Sequence, residues 1–210
     1  MIFNEHSNLE GKHAFLAPSN PAWLNYDEIK LIDRFQNRYA QEMGTVLHAL
    51  ACDLIKDKIT LAKTDKKLIS VELQRAGIPR HTFDVDFLYP NFMSYVNDAI
   101  GFRMEPEVVL RYSDHCFGTT DAIKYQPGFL RIHDYKSGIT PAHPEQLMIY
   151  AALFCLEYKD QLNLNLSNME FELRLYQYDM SMILNPPSQK IREIAEIIVK
   201  EDNILNKCII

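Results

Sequence analysis

The chain has 210 residues, of which 47% are hydrophobic, and a formal net charge of −6 at pH 7. This length fits one domain with a substantial core, and the net acidity argues mildly against simple binding of nucleic acid. No apolar run is long enough to span a membrane and the first residues do not resemble a signal peptide, so we expect a cytoplasmic protein without a membrane partner. The four cysteines are scattered without a CxxC spacing, which favours buried thiols over a zinc or redox site.

The first half of the chain is predicted to be mainly helical. Residues 1–25 form an N-terminal extension and residues 26–104 form the helical part. The predicted elements are a helical turn near Pro21 and helices over 26–58, 65–77 and 89–104. Because a glycine weakens a helix interior, a break of the first helix near Gly44 stays open as an alternative.

The second half alternates strands with helices. The predicted elements are strands over 107–112, 117–125, 129–136 and 169–178, and helices over 144–158 and 187–205. We therefore expect a single domain in which residues 105–180 supply a sheet with its helix and residues 181–210 supply a C-terminal helix. The fold class is α/β, a mixed β-sheet flanked by helices.

Two carboxylates are predicted to face each other across a hairpin. Pro127 and Gly128 favour a two-residue turn, because proline presets φ and glycine can adopt positive φ. In that register Asp121 lies opposite Asp134, and the alternation of side chains puts Lys136 on the same face as Asp134. A slip of one residue would instead place the two acids on opposite faces.

Facing carboxylates repel each other unless one is protonated or a cation lies between them. Oxygen ligands favour Mg²⁺, for which Mn²⁺ can substitute, and Lys136 could orient a water or hold a phosphate. A solvated cross-strand cluster of aspartate and lysine is the alternative. The apolar residues on the same face favour a catalytic site at the end of a buried strand; they are Ile123, Leu130 and Ile132.

Four motifs occur in a fixed order along the chain. They are Gly44-Thr45-Val46-Leu47-His48, Gly118-Thr119-Thr120-Asp121-Ala122-Ile123, Asp134-Tyr135-Lys136 and Gln146-Leu147-Met148-Ile149-Tyr150. They resemble the GxxxH, GxxDxI, DxK and QxxxY motifs of the RecB-like branch of the PD-(D/E)XK nucleases, phage-type exonucleases in particular. The resemblance covers roughly residues 12–160, and the stretch 13–25 is similar to the opening of phage proteins of this group.

The resemblance implies a restriction-endonuclease-like fold and a set of site residues. His48, Asp121, Asp134 and the backbone carbonyl of Tyr135 would hold Mg²⁺, with Lys136 as a catalytic residue. Glu107 would help to hold a second ion, and Glu105 is the alternative. No iron–sulfur cluster is expected, because the close C-terminal cysteine set of some relatives is missing.

Three further groups of residues allow two interpretations each. His48 could be a core histidine instead of a ligand. Gln146 and Tyr150 share a helix face that contacts DNA or orients the lysine in the family, or they form a core tyrosine with a rim glutamine. The basic stretch 56–80 could bind DNA or be a solvated surface, and its candidate DNA-binding residues are Lys63, Lys66, Lys67, Arg75 and Arg80. A zinc set of His115, Cys116 and His133 is rejected on spacing.

The expected function is metal-dependent hydrolysis of DNA, most simply by an exonuclease that acts on linear DNA in phage recombination or replication. The partners implied are linear duplex or single-stranded DNA, a second copy of the chain in a homo-oligomer, and a phage recombination protein in the host cytoplasm. Two alternatives remain: a related endonuclease, and a non-catalytic DNA-binding or assembly module on the same fold.

Overall fold

The centre of the protein is a five-stranded sheet whose strands lie side by side in chain order. Its strands are β1 (Glu105–Ser113), β2 (Cys116–Gln126), β3 (Phe129–Tyr135), β4 (Glu170–Gln177) and β5 (Met180–Leu184). β3 and β4 are parallel and the other neighbours are antiparallel, so the predicted mixed sheet is confirmed. These elements come from a computed structural model that describes residue 7 and residues 14–138, 142–177 and 180–208.

Helices cover both faces of the sheet and create two apolar cores. The helices are α1 (Glu28–Lys56), α2 (Lys67–Arg75), α3 (Val85–Gly101), α4 (Glu145–Tyr158) and α5 (Ser188–Lys207). One core joins α1, α2 and α3 to the sheet through residues such as Leu47 and Phe92. The other joins α4 and α5 to the opposite face, through residues such as Leu147 and Ile191. Between α1 and α4 lies a cleft that is lined by Asp121 of β2 and by Tyr135 and Lys136 at the end of β3.

The β2–β3 hairpin has the predicted register. Paired residues run from Ala122 with His133 to Gln126 with Phe129. The two-residue loop places Gly128 at φ +79°, a conformation that glycine adopts without the steric strain of a side chain. The apolar residues predicted to share the face of the acids, among them Ile132, are buried beneath α4.

The structure decides the open alternative for α1 and places the start of α3 earlier than predicted. α1 continues through Gly44 without a break, because Met43 and Leu47 on either side are buried in the core. α3 begins at Val85 instead of residue 89; the Asp84 side chain accepts a hydrogen bond from the N–H of Asp86 at this end. Pro90, one residue after the predicted start, lies inside α3.

β5 was not predicted. It is only five residues long and pairs with β4 at the edge of the sheet, so its sequence carries little periodic pattern. Of the expected N-terminal extension, residues 1–6 and 8–13 lie outside the described residues, and so does Tyr178, the expected end of β4. The helical turn predicted near Pro21 is a 3₁₀ helix, Pro21–Asn25. No helix among the described residues is both long enough and apolar enough to cross a membrane.

Candidate metal centre

Three potential metal ligands converge where α1, β1 and β2 meet. His48 of α1, Glu107 of β1 and Asp121 of β2 each offer one ligand atom, and these atoms lie within 4.8 Å of one another. The sequence left Glu105 and Glu107 as alternatives, and the structure brings Glu107 into this group. Glu105 lines a different cavity. A nitrogen and two carboxylate oxygens at this spacing are suited to a divalent cation.

Asp121 is held at the middle of this group by contacts to both of its oxygens. Its Oδ2 accepts a hydrogen bond of 2.7 Å from the backbone N–H of Tyr135, and its Oδ1 lies 3.3 Å from Nδ1 of His48. The first contact ties β2 to the end of β3, and the second ties it to α1. The Tyr135 side chain is buried, with its ring stacked on that of Tyr95.

Asp134 and Lys136 form a second pair beside the three ligands. The Asp134 side chain is only 4% exposed, and its Oδ1 accepts a hydrogen bond of 3.0 Å from Nζ of Lys136. The backbone N–H of Lys136 donates to the carbonyl of Tyr176 on β4. Lys136 is therefore fixed at the end of the parallel strand pair, and its ammonium group partly faces the solvent.

The acids in this region repel each other. Burial, followed by the negative charge of Asp121, raises the pKa of Asp134 to about 6. The same two causes raise the pKa of Glu107. Burial lowers the pKa of His48, but the hydrogen bond and charge of Asp121 outweigh it, so that the net change is upward. The negative charge of Asp121 contributes to all three shifts, and a divalent cation would neutralise it. The residues present therefore fit a bound Mg²⁺ or Mn²⁺ ion.

Glu107 reaches this group from a strained backbone. Pro106 pairs with Ala122 and Val108 pairs with Thr120, so Glu107 stands opposite Asp121. Its φ of +54° lies in the left-handed region, which is unfavourable for a residue with a side chain. Strain of this kind persists where the surroundings enforce it, and it is frequent at functional sites.

Replacing Glu107 with glycine is expected to stabilise the metal-free protein by about 1 kcal/mol relative to Glu107→Gln, because only glycine removes the left-handed strain. Both variants remove the carboxylate and should weaken Mn²⁺ binding to the same extent. Thermal unfolding in EDTA and calorimetric Mn²⁺ titration measure the two effects. Equal stability of the two variants would contradict the strain argument.

The second and fourth sequence motifs meet in space. A Cβ atom added to Gly118 would lie 2.9 Å from Cε1 of Tyr150, which is too close for an unmoved ring. Tyr150 lies on α4 one turn after Gln146, whose side-chain amide donates a hydrogen bond of 3.3 Å to the tyrosine hydroxyl. Burial raises the pKa of Tyr150, so its hydroxyl stays protonated at neutral pH. Gly118 is thus required for the close approach of Tyr150 to β2.

Gly118→Ala is expected to displace the Tyr150 ring and to reduce any activity of the site by about tenfold or more, since small misplacements near the chemistry have large effects. Gly44→Ala is the matched control. Its added Cβ would meet Ser137 at an ordinary 3.6 Å, and alanine stabilises a helix interior by up to about 1 kcal/mol. A catalytic assay and thermal unfolding compare the two variants. Equal activity and equal melting temperature would contradict the packing argument.

The three potential metal ligands, together with Lys136, Gln146 and Tyr150, line one open cleft of about 900 Å³. Its lining residues are Gln41, Gly44, Thr45, His48, Ala49, Cys52, Asp53, Glu107, Thr119, Asp121, Tyr135, Lys136, Ser137, Gly138, Gln146 and Tyr150. The sequence did not indicate Gln41 or Cys52, although each is one or two helical turns from His48 on α1. Ser137 and Gly138 directly follow Lys136 and could have been included on that ground.

Gln177 is a positioning residue that sequence inspection missed. Its side chain is buried, accepts a hydrogen bond from the N–H of Ala142 and donates one to the carbonyl of Gly138. It therefore connects the end of the segment after Lys136 with the segment before α4. No local sequence pattern marks this role, because both partners are more than 30 residues away.

The five candidate DNA-binding cations lie outside the cleft. All are exposed on or near α2, and none is among the cleft residues. Lys66 is paired with Asp86 at 2.7 Å and Arg75 with Glu72 at 2.6 Å, while Arg80 donates to the carbonyl of Phe83. Lys63 and Lys67 complete this surface. Their contact with DNA stays a prediction.

The rejected zinc set is not assembled. His133 is buried, with Nδ1 3.3 Å from the Tyr176 hydroxyl, and burial lowers its pKa to about 3. His115 is exposed at the β1–β2 turn. The fold and the cleft define a mixed α/β protein with a candidate centre of histidine, carboxylates and lysine. No protein-family model, no curated protein and no solved structure matches the chain.

Proposed function

We propose that the protein is a metal-dependent deoxyribonuclease with a restriction-endonuclease-like sheet, and that it acts as an exonuclease on linear DNA. The observation that carries the proposal is the convergence of His48, Glu107 and Asp121 beside the buried pair of Asp134 and Lys136. The convergence joins three of the motifs that resemble the RecB-like nucleases. Glu107, outside those motifs, joins the same group.

His48, Glu107 and Asp121 would hold Mg²⁺, with Asp134 and the backbone carbonyl of Tyr135 as the proposed additional ligands. When bound, such an ion polarises a phosphodiester and lowers the pKa of a coordinated water. The N–H of Tyr135 orients the Asp121 carboxylate, and the bond between Asp121 and His48 keeps the imidazole turned toward the cleft. The chain thus supplies a ligand set that is already oriented.

Lys136 is the residue proposed to act on the reacting phosphate. Its side chain is 29% exposed and lines the cleft, while Asp134 anchors the ammonium group from the buried side. A positive charge at this point stabilises the negative charge that develops on a phosphate under attack, and it can orient the attacking water. Tyr150 and Gln146 of α4 also line the cleft and would contact the DNA strand.

The test is degradation of DNA labelled at one end, as linear duplex and as single strand, with Mg²⁺, Mn²⁺ or EDTA. We expect loss of the linear substrates only with a metal, and the position of the label gives the polarity. Covalently closed circular DNA should survive, because an exonuclease needs an end. Cutting of the circle would instead identify an endonuclease, and metal-indifferent binding without cleavage would favour the non-catalytic module.

A further inference from the structure

A second, strongly basic cavity lies next to the candidate metal centre. It has a volume of about 440 Å³ and is formed by the ends of α1 and α3 together with β1 and β2. We call it the cationic pocket, after its four basic residues, which are Lys56, Lys58, Arg103 and Lys124. Glu105 is the one acid among its lining residues.

The four cations are not neutralised by ion pairs within the part of the chain that the structure describes. Among the described residues, none of them forms an ion pair with an aspartate or a glutamate, although the surface contains many such pairs elsewhere. Lys56 interacts with the thiol of Cys52, and the charges of Asp53 and Glu107 act on it without forming an ion pair. Positive charges gathered in a concave site repel each other and attract an anion.

Two of the cations occupy positions that normally belong to glycine. Lys58 has φ +57° and Arg103 has φ +55°. Each follows the end of a helix, where the N–H of the next residue reaches back to the helix: Ile59 donates to Leu54, and Met104 to Ala99. This C-terminal capping geometry favours glycine, since a side chain is strained there. A lysine and an arginine occupy these two positions, and both side chains line the cationic pocket.

The cationic pocket and the metal centre are adjacent along β1. Pro106 lines the pocket and Glu107, the next residue of β1, belongs to the group of metal ligands. The charge of Lys56 also acts on Glu107, whose pKa it lowers against the larger upward effects of burial and Asp121. Consecutive residues of an extended strand are about 3.3 Å apart along the backbone, so β1 directly connects the pocket with the metal centre.

We propose that the cationic pocket binds a phosphate group of the nucleic-acid strand, next to the phosphodiester held at the metal centre. The inference rests on the proposed function for the identity of the polyanion. The phosphate can be an internal phosphodiester or a terminal phosphomonoester, and both present oxygens that Arg103 and the lysines can bind.

The experiment measures binding separately from cleavage. Fluorescence anisotropy follows labelled oligothymidylates that carry a phosphate at the 5′ end, at the 3′ end or at neither, with EDTA, and with Mg²⁺ in a Lys136→Ala background. We expect Lys58→Gly with Arg103→Gly to weaken binding about tenfold or more and to reduce the slope of log affinity against log salt by about 2. A loss confined to one phosphorylated oligonucleotide assigns the pocket to that end, and a loss with all three assigns it to an internal phosphate.

Matched controls exclude a general effect of charge or folding. Lys200→Ala with Lys207→Ala removes the same charge from α5 and should leave binding unchanged. Glycine at the two left-handed positions should keep or raise the melting temperature, so weaker binding cannot come from unfolding.

Three results would contradict the proposed role of the pocket: unchanged affinity and salt slope, an equal loss in the α5 control, or no binding by the parent protein. A lower melting temperature with intact binding would also overturn it, because the cations would then serve only the helix ends. Because the assay measures binding and not cleavage, it tests the pocket even if the protein does not cleave DNA.

Discussion

Replacing Lys136 with alanine is expected to abolish detectable DNA cleavage, with a loss of about 10²–10³-fold or more, while Mn²⁺ binding persists. Removal of one preorganised group that stabilises developing charge commonly has an effect of this size. Lys136 lies outside the three-residue ligand group and is paired with Asp134, so its removal should leave the three ligands in place. Cleavage of end-labelled DNA gives the rate, and calorimetric titration gives the metal affinity.

Lys190→Ala is the matched control for Lys136→Ala. Lys190 is an exposed lysine on α5 that is also paired with an acid, Glu193, and it is remote from the cleft. Its loss should leave both the rate and the metal affinity unchanged. Cleavage by Lys136→Ala at the rate of the parent protein would remove Lys136 from the mechanism. Loss of metal binding in Lys136→Ala would show that Lys136 maintains the structure of the metal centre instead.

Replacing Asp134 with asparagine is expected to stabilise the metal-free protein at pH 8 and to abolish cleavage. The pKa of Asp134 in the folded protein is about 6, because burial and then the charge of Asp121 oppose ionisation. An unfolded aspartate has a pKa near 3.9. Ionisation of Asp134 therefore costs no stability below pH 4, where the group is protonated in both states. The cost develops between pH 4 and 6, and the folded protein is destabilised as the pH rises through 6. The difference amounts to about 2–3 kcal/mol at pH 8.

Thermal unfolding in EDTA between pH 4 and pH 8 measures this effect. The advantage of Asp134→Asn over the parent protein should be largest at pH 8 and should shrink toward pH 4. Added Mg²⁺ should raise the melting temperature of the parent protein more than that of the variant, since ligand binding stabilises the folded state in proportion to its affinity. A variant that is less stable than the parent protein at pH 8 without metal would show that the carboxylate is not destabilising.

The hairpin could be predicted because its determinants are local. A Pro-Gly turn fixes the loop, and alternation of side chains then determines which residues face each other across β2 and β3. The α/β class followed similarly from the alternation of apolar residues in the strands. The start of α3 could not be read from the sequence, because proline is favoured in the first turn of a helix, whereas Pro90 lies inside α3 among buried residues.

The acid on β1 depended on long-range register. Glu105 and Glu107 have the same chemistry and share a strand face by alternation, so composition and spacing could not separate them. Pairing of β1 with β2 puts Glu107 opposite Asp121, and that pairing is set by packing across the sheet. The cationic pocket was equally hidden, because its residues come from separate segments and two of them occupy helix-end positions where sequence rules anticipate glycine.

The central claim is that His48, Glu107 and Asp121 hold the ion on which DNA cleavage depends. The most direct test compares the parent protein and Asp121→Asn, purified in parallel, on one end-labelled linear DNA across a Mg²⁺ titration. We expect the parent protein to degrade the DNA in proportion to bound Mg²⁺ and the variant to leave it intact. No cleavage by the parent protein at any Mg²⁺ or Mn²⁺ concentration, or equal cleavage by both proteins, would contradict the claim.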